Sequence, residues 1–225
     1  MSLLYLFGVI RAGRYLELAP VRGRPVRLLT VRSLAAVTTL VDESEFGHRA
    51  LEVNLADRAW LDDWGTRHYR VIREVFTGAD ILPFRFGTVS RTREGAIRLI
   101  TEKKPALEMH LEAVSGGEQY ILHLRPDPGA PNPDPLPLST PPGREAALEL
   151  PTSLDFPGVC RRVLLHRGRG GQMEHQEALL VDRQLGPEFR RKARRWAGRL
   201  LEGGILLSLR GPSPPYEFSV DPARL

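Results

Sequence analysis

Metal chemistry starts from closely spaced histidines or cysteines, and this chain does not supply them. Its six histidines are His48, His68, His110, His123, His166 and His175, and no two of them are four residues apart. Zinc sites need such spacing to bring ligands together on one helix or loop. Glu174-His175-Gln176-Glu177 is not the H-E-x-x-H order of a zinc-dependent protease, and neither a phosphate-binding G-x-x-x-x-G-K-[ST] loop nor a G-x-S-x-G elbow occurs. Asp62 and Asp63 are adjacent on a predicted helix, so they point about 100° apart and do not converge on one substrate. His68 falls on the apolar stripe of that helix and reads as a core histidine, not a base. The single cysteine, Cys160, lies in the apolar-basic stretch Val159–Leu165 and reads as a small buried hydrophobe. One cysteine allows no intrachain disulfide, which sets the cytoplasm as the default compartment. Gly168-Arg169-Gly170-Gly171 does not lead directly into a predicted helix, so a hairpin loop is a better reading than an anion cradle. These residues recommend no catalytic site, no metal and no cofactor.

Two groups of residues remain that could contact another molecule. In Phe84-Arg85-Phe86-Gly87, strand geometry would put both rings on one face and the guanidinium on the other. Such a pair can stack bases on an open sheet, as RNA-binding modules do, or line a hydrophobic core. The segment opens Leu82-Pro83-Phe84-Arg85, which is not the RNA-binding pattern, and burial is the better reading. The second group is the helix predicted over 187–202. It carries Phe189, Ala193, Trp196, Ala197, Leu200 and Leu201 on one face, and Arg190, Arg191, Lys192, Arg194, Arg195 and Arg199 around the rest. Arginine forks onto carboxylates and stacks on planar groups, so this surface suits an acidic protein partner. A nucleic-acid-binding α+β module using the basic helix 187–202 is the alternative. The net charge is only +5 and spread along the chain with no basic tail, so charge alone argues weakly for nucleic acid. The candidate interaction residues are Phe84, Arg190, Arg191, Arg194 and Arg195.

The elements that position these residues alternate between strand and helix. Leu3–Ile10 reads as a strand, not a signal peptide, since no basic region precedes it. Val26–Val31 and Leu34–Val41 form a hairpin. A helix opens at Asp57 and repeats Trp60, Leu61, Trp64, His68, Val71, Ile72, Val75 and Phe76 at helical spacing, with Gly78 just past its end. Ile81–Val89 returns to strand. Helices follow over Thr92–Glu102 and Pro105–Val114, then a strand over Glu118–Leu124. The run Pro126–Pro142 is rich in proline, cannot continue a helix or central strand, and reads as an extended linker or strap. Strands over Val159–Leu165, Glu177–Val181 and Ile205–Leu209 surround the basic helix. No apolar run approaches the ~20 residues of a membrane-spanning helix, so no membrane partner is expected. The fold expected is α+β: two small domains, each a modified ferredoxin-like mixed sheet with helices packed on one face. The domains are residues 1–125 and 151–225, joined by a proline-rich linker or strap over 126–150.

Three segments in this order resemble the gas vesicle GvpL/GvpF family. The first is Tyr5-Leu6-Phe7-Gly8-Val9 with Leu34-Ala35-Ala36-Val37-Thr38. The second is the helix carrying His68 followed by Leu82-Pro83-Phe84-Arg85-Phe86-Gly87-Thr88, similar to the family's LP-x-R-F-G-T signature. The third is Ala178–Arg183, the amphipathic helix, and then Gly211-Pro212-Ser213-Pro214-Pro215-Tyr216-Glu217-Phe218, similar to a GP-x-PPY-x-F motif. Ser213 stands where the family usually has Trp, Glu217 where it usually has Ser, and the proline-rich stretch where it often has a helix. The resemblance implies a non-enzymatic accessory protein of gas vesicle assembly, located at the vesicle, a cytoplasmic organelle. It implies contact with the hydrophobic shell protein and with other accessory gas vesicle proteins, and no cofactor or small-molecule ligand. It also implies structural roles for Leu82, Pro83, Arg85, Phe86, Gly87, Thr88, Gly211, Pro212, Pro214, Pro215, Tyr216 and Phe218. The Phe84/Phe86 segment and the Tyr216/Phe218 tail are two places where such a protein could cover a sticky subunit, against the alternative that both pack internally.

Overall fold

In the computed structural model, the described residues are 1–129, 158–167 and 174–225. They form two units, Met1–Gly116 with Pro214–Leu225, and Gly117–Ser213. The division does not fall at the proline-rich stretch. The strand expected to close the N-terminal domain belongs to the second unit, and the C-terminal tail belongs to the first. Local composition marks where a chain must be extended, whereas strand pairing, which is long-range, decides which unit a strand joins. Most of the 126–150 linker and all of Gly168–Gly171 lie outside the described residues.

In the first unit, strand β1 is Ser2–Arg11, β2 is Arg27–Val31 and β3 is Leu34–Asp42. Short helices α1 (Glu43–Phe46) and α2 (His48–Asn54) lead into α3 (Arg58–Gly78). Two-residue strands β4 (Leu82–Pro83) and β5 (Val89–Ser90) follow, then α4 (Arg93–Glu102) and α5 (Lys104–Val114). The sheet order is β2-β3-β1-β4, with β5 also against β1, and every pairing is antiparallel. Both faces of β1 are buried. Leu3, Tyr5 and Phe7 pack with Trp64, Val71, Ile72 and Val75 of α3. Leu6 and Val9 point the other way and are also buried, on the face met by α4 and α5. Covering both faces explains why β1 reads as a continuous apolar run. Asp57 caps α3 as its type dictates, accepting from the Ala59 N–H at 2.9 Å and the Trp60 N–H at 3.3 Å. Thr92 caps α4 through the Gly95 N–H at 3.0 Å.

The second unit holds β6 (Gly117–Pro126), β7 (Val159–Arg167), β8 (His175–Asp182), α6 (Gly186–Glu202) and β9 (Ile205–Ser213). Its antiparallel sheet runs β7-β8-β6-β9. Counted in chain order, the strands of both units stand second, third, first, fourth. That is the ferredoxin-like arrangement, with the loop of residues 12–26 in place of the first helix in the first unit. Tyr120, Leu122, Leu179 and Val181 form a core with Phe189 and Ala193 of α6. The helix starts at Gly186, where an added Cβ would lie 2.2 Å from a Glu118 carboxylate oxygen.

Candidate functional site

Residues of the first two family signatures, and of the third from Pro214 onward, converge inside the first unit around one buried imidazole. His68, on α3, is 1% exposed. Tyr5, 1% exposed on β1, places its hydroxyl 2.8 Å from His68 Nδ1 and 3.1 Å from the Gly87 N–H. Gly87 can only donate, so the arrangement that leaves the fewest orphan groups has Tyr5 accepting from Gly87 and donating to Nδ1. The remaining imidazole proton is then on Nε2, left with the Phe84 backbone as a contact that falls short of hydrogen-bond geometry. Rings of Tyr5, Phe7, Phe86 and Tyr216 surround the imidazole at 5.6–5.7 Å between centroids. Burial pushes the His68 pKa down to about 4; a contact with the Phe84 backbone favours the charged form and offsets this only in part. Burial also drives the Tyr5 hydroxyl up. A neutral imidazole and an un-ionised phenol, buried among aromatics, join β1 to α3. Tyr5→Phe strands the Gly87 N–H and His68 Nδ1 without partners, so the first unit should lose about 2 kcal/mol, read as a lower urea midpoint.

Sequence alternation over Ile81–Val89 suggests one strand, but the chain turns within it. Phe84 donates its N–H to the Phe7 carbonyl at 2.9 Å, and Arg85 donates to the Val220 carbonyl at 3.0 Å. The Thr88 N–H then reaches back to the Arg85 carbonyl at 3.3 Å, with Gly87 at φ +83°. A positive φ at the third position of a turn is what glycine supplies without strain. Phe84 and Phe86 consequently do not share a platform. Phe86 packs with Tyr5, Trp60 and His68. Phe84 is wholly buried and bridges to Val220 of the tail. Its assignment as an interaction residue is therefore corrected: a fully buried ring offers nothing to a partner. Leu82 and Pro83 are also buried, while the Arg85 side chain is exposed.

From Pro214 onward, the C-terminal signature sits on the same cluster. Pro214, Pro215 and Phe218 are buried, and Tyr216 stands near a right angle to His68 and Tyr69. The Phe84/Phe86 segment and the Tyr216/Phe218 tail both pack internally, with each other and with α3. Gly211 precedes Pro212 through a cis peptide bond and has φ +132°. A Cβ there would lie 2.6 Å from the Gln119 carbonyl, so close backbone approach accounts for the glycine.

The arginines of α6 divide. Arg191, Arg194 and Arg195 are exposed. Arg190 turns inward and bonds the Tyr120 hydroxyl, which in turn donates to Glu118 at 2.6 Å. Arg190 also lies 3.5 Å from Glu118. Burial first, and then Glu118, push the Tyr120 pKa up to about 12, against the pull of Arg190. Arg190 is thus an internal ion-pair partner, contrary to its assignment as a contact residue. Helical periodicity could not separate it from its neighbours, because the carboxylate that claims it comes from β6, a distant part of the chain.

Other chemistry-bearing side chains stand apart. Cys160 is exposed, not buried as expected, since it sits at a register shift in the edge strand β7. Asp63 is held by Arg67 and Arg22, which lower its pKa, while Asp62 lies 3.9 Å from Arg58. His123 pairs with Glu174 at 2.9 Å. Among the described residues, no group of three or more His, Cys, Asp or Glu could hold a metal ion, and no helix is long and apolar enough to cross a membrane.

Comparison with known proteins places this architecture. A solved structure of the gas vesicle protein GvpF from Anabaena sp. PCC7120 matches with a TM-score of 0.73 over 97% of this chain and 96% of that one, at 15% identity. GvpF from Microcystis aeruginosa matches with a TM-score of 0.67 over 96% and 98%, at 18% identity. At these identities the likeness is one of fold. A curated relative, Gas vesicle protein L of Streptomyces sp. (strain CB03234), is 33% identical over 108 residues. That alignment takes in 48% of this chain and 41% of the relative, so the match spans less than half of the relative's length. The profile of the family described as Gas vesicle synthesis protein GvpL/GvpF matches residues 3–134, more than half of the chain. This two-unit protein, whose signature residues lock a tyrosine–histidine core, belongs to the GvpL/GvpF gas vesicle family.

Proposed function

We propose that this protein is an accessory component of gas vesicle assembly, acting at the vesicle through contacts with the hydrophobic shell protein and other gas vesicle proteins and not through catalysis. The observation that carries the reading is the family match over residues 3–134, supported by a GvpF-like fold along nearly the whole chain. The physical need is plain. A wall with gas on one side presents apolar surface, and its subunits are adhesive before they assemble. A protein that holds such a subunit needs a stable scaffold and a surface for polypeptides. The aromatic signatures serve the scaffold, since they are spent inside the first unit. The exposed Arg191, Arg194 and Arg195 of α6 are offered as part of the contact surface.

The test is capture of the shell protein by the tagged full chain. Arg191→Glu, Arg194→Glu and Arg195→Glu together should weaken capture by about tenfold or more while leaving the melting temperature within a degree or two, because exposed charges away from special features contribute little to stability. Undiminished capture by this variant would remove α6 from the interface. Failure of the unaltered protein to capture any gas vesicle protein, with tight and steeply salt-dependent DNA binding instead, would favour the nucleic-acid alternative.

A further inference from the structure

A second surface lies on the first unit, remote in sequence from α6. The α4–α5 layer covers one face of the sheet but stops at Arg93, where α4 begins. Beyond it the sheet face is open, forming a groove of about 740 Å³. Its floor includes Leu4 and Leu40, which face each other across β1 and β3, and Leu40, near the end of β3, is 51% exposed although its strand neighbours Thr39 and Val41 are buried. Arg24, Arg27, Arg91 and Arg93 stand around it, and no carboxylate lines it. Arg24 is occupied by Asp42, at 2.7 and 2.8 Å. Arg27, Arg91 and Arg93 are exposed and form no ion pair among the described residues.

From this arrangement we infer that the groove is a docking site for an acidic amphipathic helix of a partner protein. The aliphatic stripe of that helix would rest on Leu4 and Leu40, continuing the layer that α4 leaves unfinished, and its carboxylates would meet Arg27, Arg91 and Arg93. An apolar helix face seated in a groove with charges at the rim is a recurrent mode of peptide recognition. Guanidinium forks match carboxylates in geometry as well as charge. Nucleic acid fits less well. It would bring phosphates to the arginines, but none of the groove's lining residues is aromatic, so bases would find leucines in place of rings to stack on. The inference goes beyond the assembly proposal, because it concerns another surface and does not depend on which protein supplies the helix.

The experiment is fluorescence anisotropy on the full chain with a labelled synthetic helical peptide carrying a leucine stripe flanked by glutamates. The probes set against it are its lysine-for-glutamate twin, a glutamate-only peptide and a single-stranded DNA oligomer. The Glu/Leu peptide should bind saturably and at least about tenfold more tightly than the other three. Arg27→Glu, Arg91→Glu and Arg93→Glu together should weaken it by about thirtyfold or more, and Leu40→Asp alone by about tenfold. Thermal melts confirm that each variant is folded. Arg191→Glu/Arg194→Glu/Arg195→Glu should leave this affinity unchanged, so a failure here is distinguishable from a failure of the assembly proposal. The inference is overturned if the peptide does not saturate by about 1 mM, if both groove variants bind it as tightly as the parent, or if the glutamate-only peptide or the DNA binds equally well.

Discussion

Replacing Gly8 with alanine should destabilise the first unit by about 3 kcal/mol, the upper end of what overpacking a buried site costs. Gly8 lies on β1 opposite Pro83, beside the register shift between Leu6 and Gly8 in the pairing with β3. An added Cβ would sit 2.4 Å from the Leu82 carbonyl oxygen, 3.1 Å from Pro83 Cα and 3.2 Å from Ile81 Cδ1. The first two are backbone atoms and cannot swing aside as a side chain would. Relief requires β4 to move away from β1, breaking the bond from the Phe84 N–H to the Phe7 carbonyl and opening the burial of Ile81, Leu82 and Phe84. Gly13→Ala is the control. Gly13 has φ +87° but nothing within 4 Å of the added carbon, so its cost should stay near 1 kcal/mol. Urea titration followed by tryptophan fluorescence separates the two. With Trp196→Phe in the background, the signal comes from Trp60 and Trp64, which both pack in the first unit. Equal midpoints for Gly8→Ala and Gly13→Ala would refute the collision.

The second large effect is one of pH. The unfolded chain protonates His68 near 6.5, whereas the folded chain holds out to about 4. Above pH 6.5 both states are neutral at this site and its full contribution is present. As pH falls from 6.5 to 4, the unfolded state gains a proton that the folded state refuses, and stability drops by about 1.4 kcal/mol per unit, roughly 3 kcal/mol in all. Below pH 4 both states are protonated and this source of slope ends. His68→Gln removes the titration. The difference in stability between parent and variant should therefore change in the variant's favour by about 2 kcal/mol between pH 7 and pH 5. A constant difference across that range would show that His68 titrates alike in both states.

The sequence announces α3 clearly because three independent signals agree there: the Asp57 cap, the apolar repeat and the glycine near its end. Helices α1 and α2 are not legible, since four and seven residues are too few to display a period. The Leu82–Thr88 segment shows the limit of alternation. Phe84 and Phe86 alternate as strand residues do, yet the Gly87 turn sends them into different packing environments. Both the turn and the docking of the tail rest on tertiary partners that no local pattern contains. The candidate site was half visible. His68 on an apolar stripe reads as core and Tyr5 falls in the first predicted strand, but their hydrogen bond joins positions 63 residues apart. The basic face of α6 was legible as a face, though the internal role of Arg190 depended on Glu118 and Tyr120 in another strand. The groove between Leu40 and Arg93 was not visible at all, because its rim and floor are brought together only by the sheet and the start of α4.

Ser213 and Glu217, the two positions at which the motif resemblance breaks, have different environments. Ser213 bonds the Gln119 carbonyl at 3.3 Å. Glu217 is exposed, beside buried Phe218. Pro214, Pro215 and Phe218 are thus packed, whereas Ser213 is half-buried and Glu217 faces outward.

The most direct measurement is deletion of this gene from a reconstituted gas vesicle cluster, complemented in turn by the parent protein and by the Arg191→Glu/Arg194→Glu/Arg195→Glu variant, with vesicles counted by electron microscopy. An assembly role through protein contacts requires that deletion abolish or malform the vesicles and that the parent restore them; with α6 part of the contact surface, the folded triple variant fails to do so. Normal, intact vesicles in the deletion strain would contradict it.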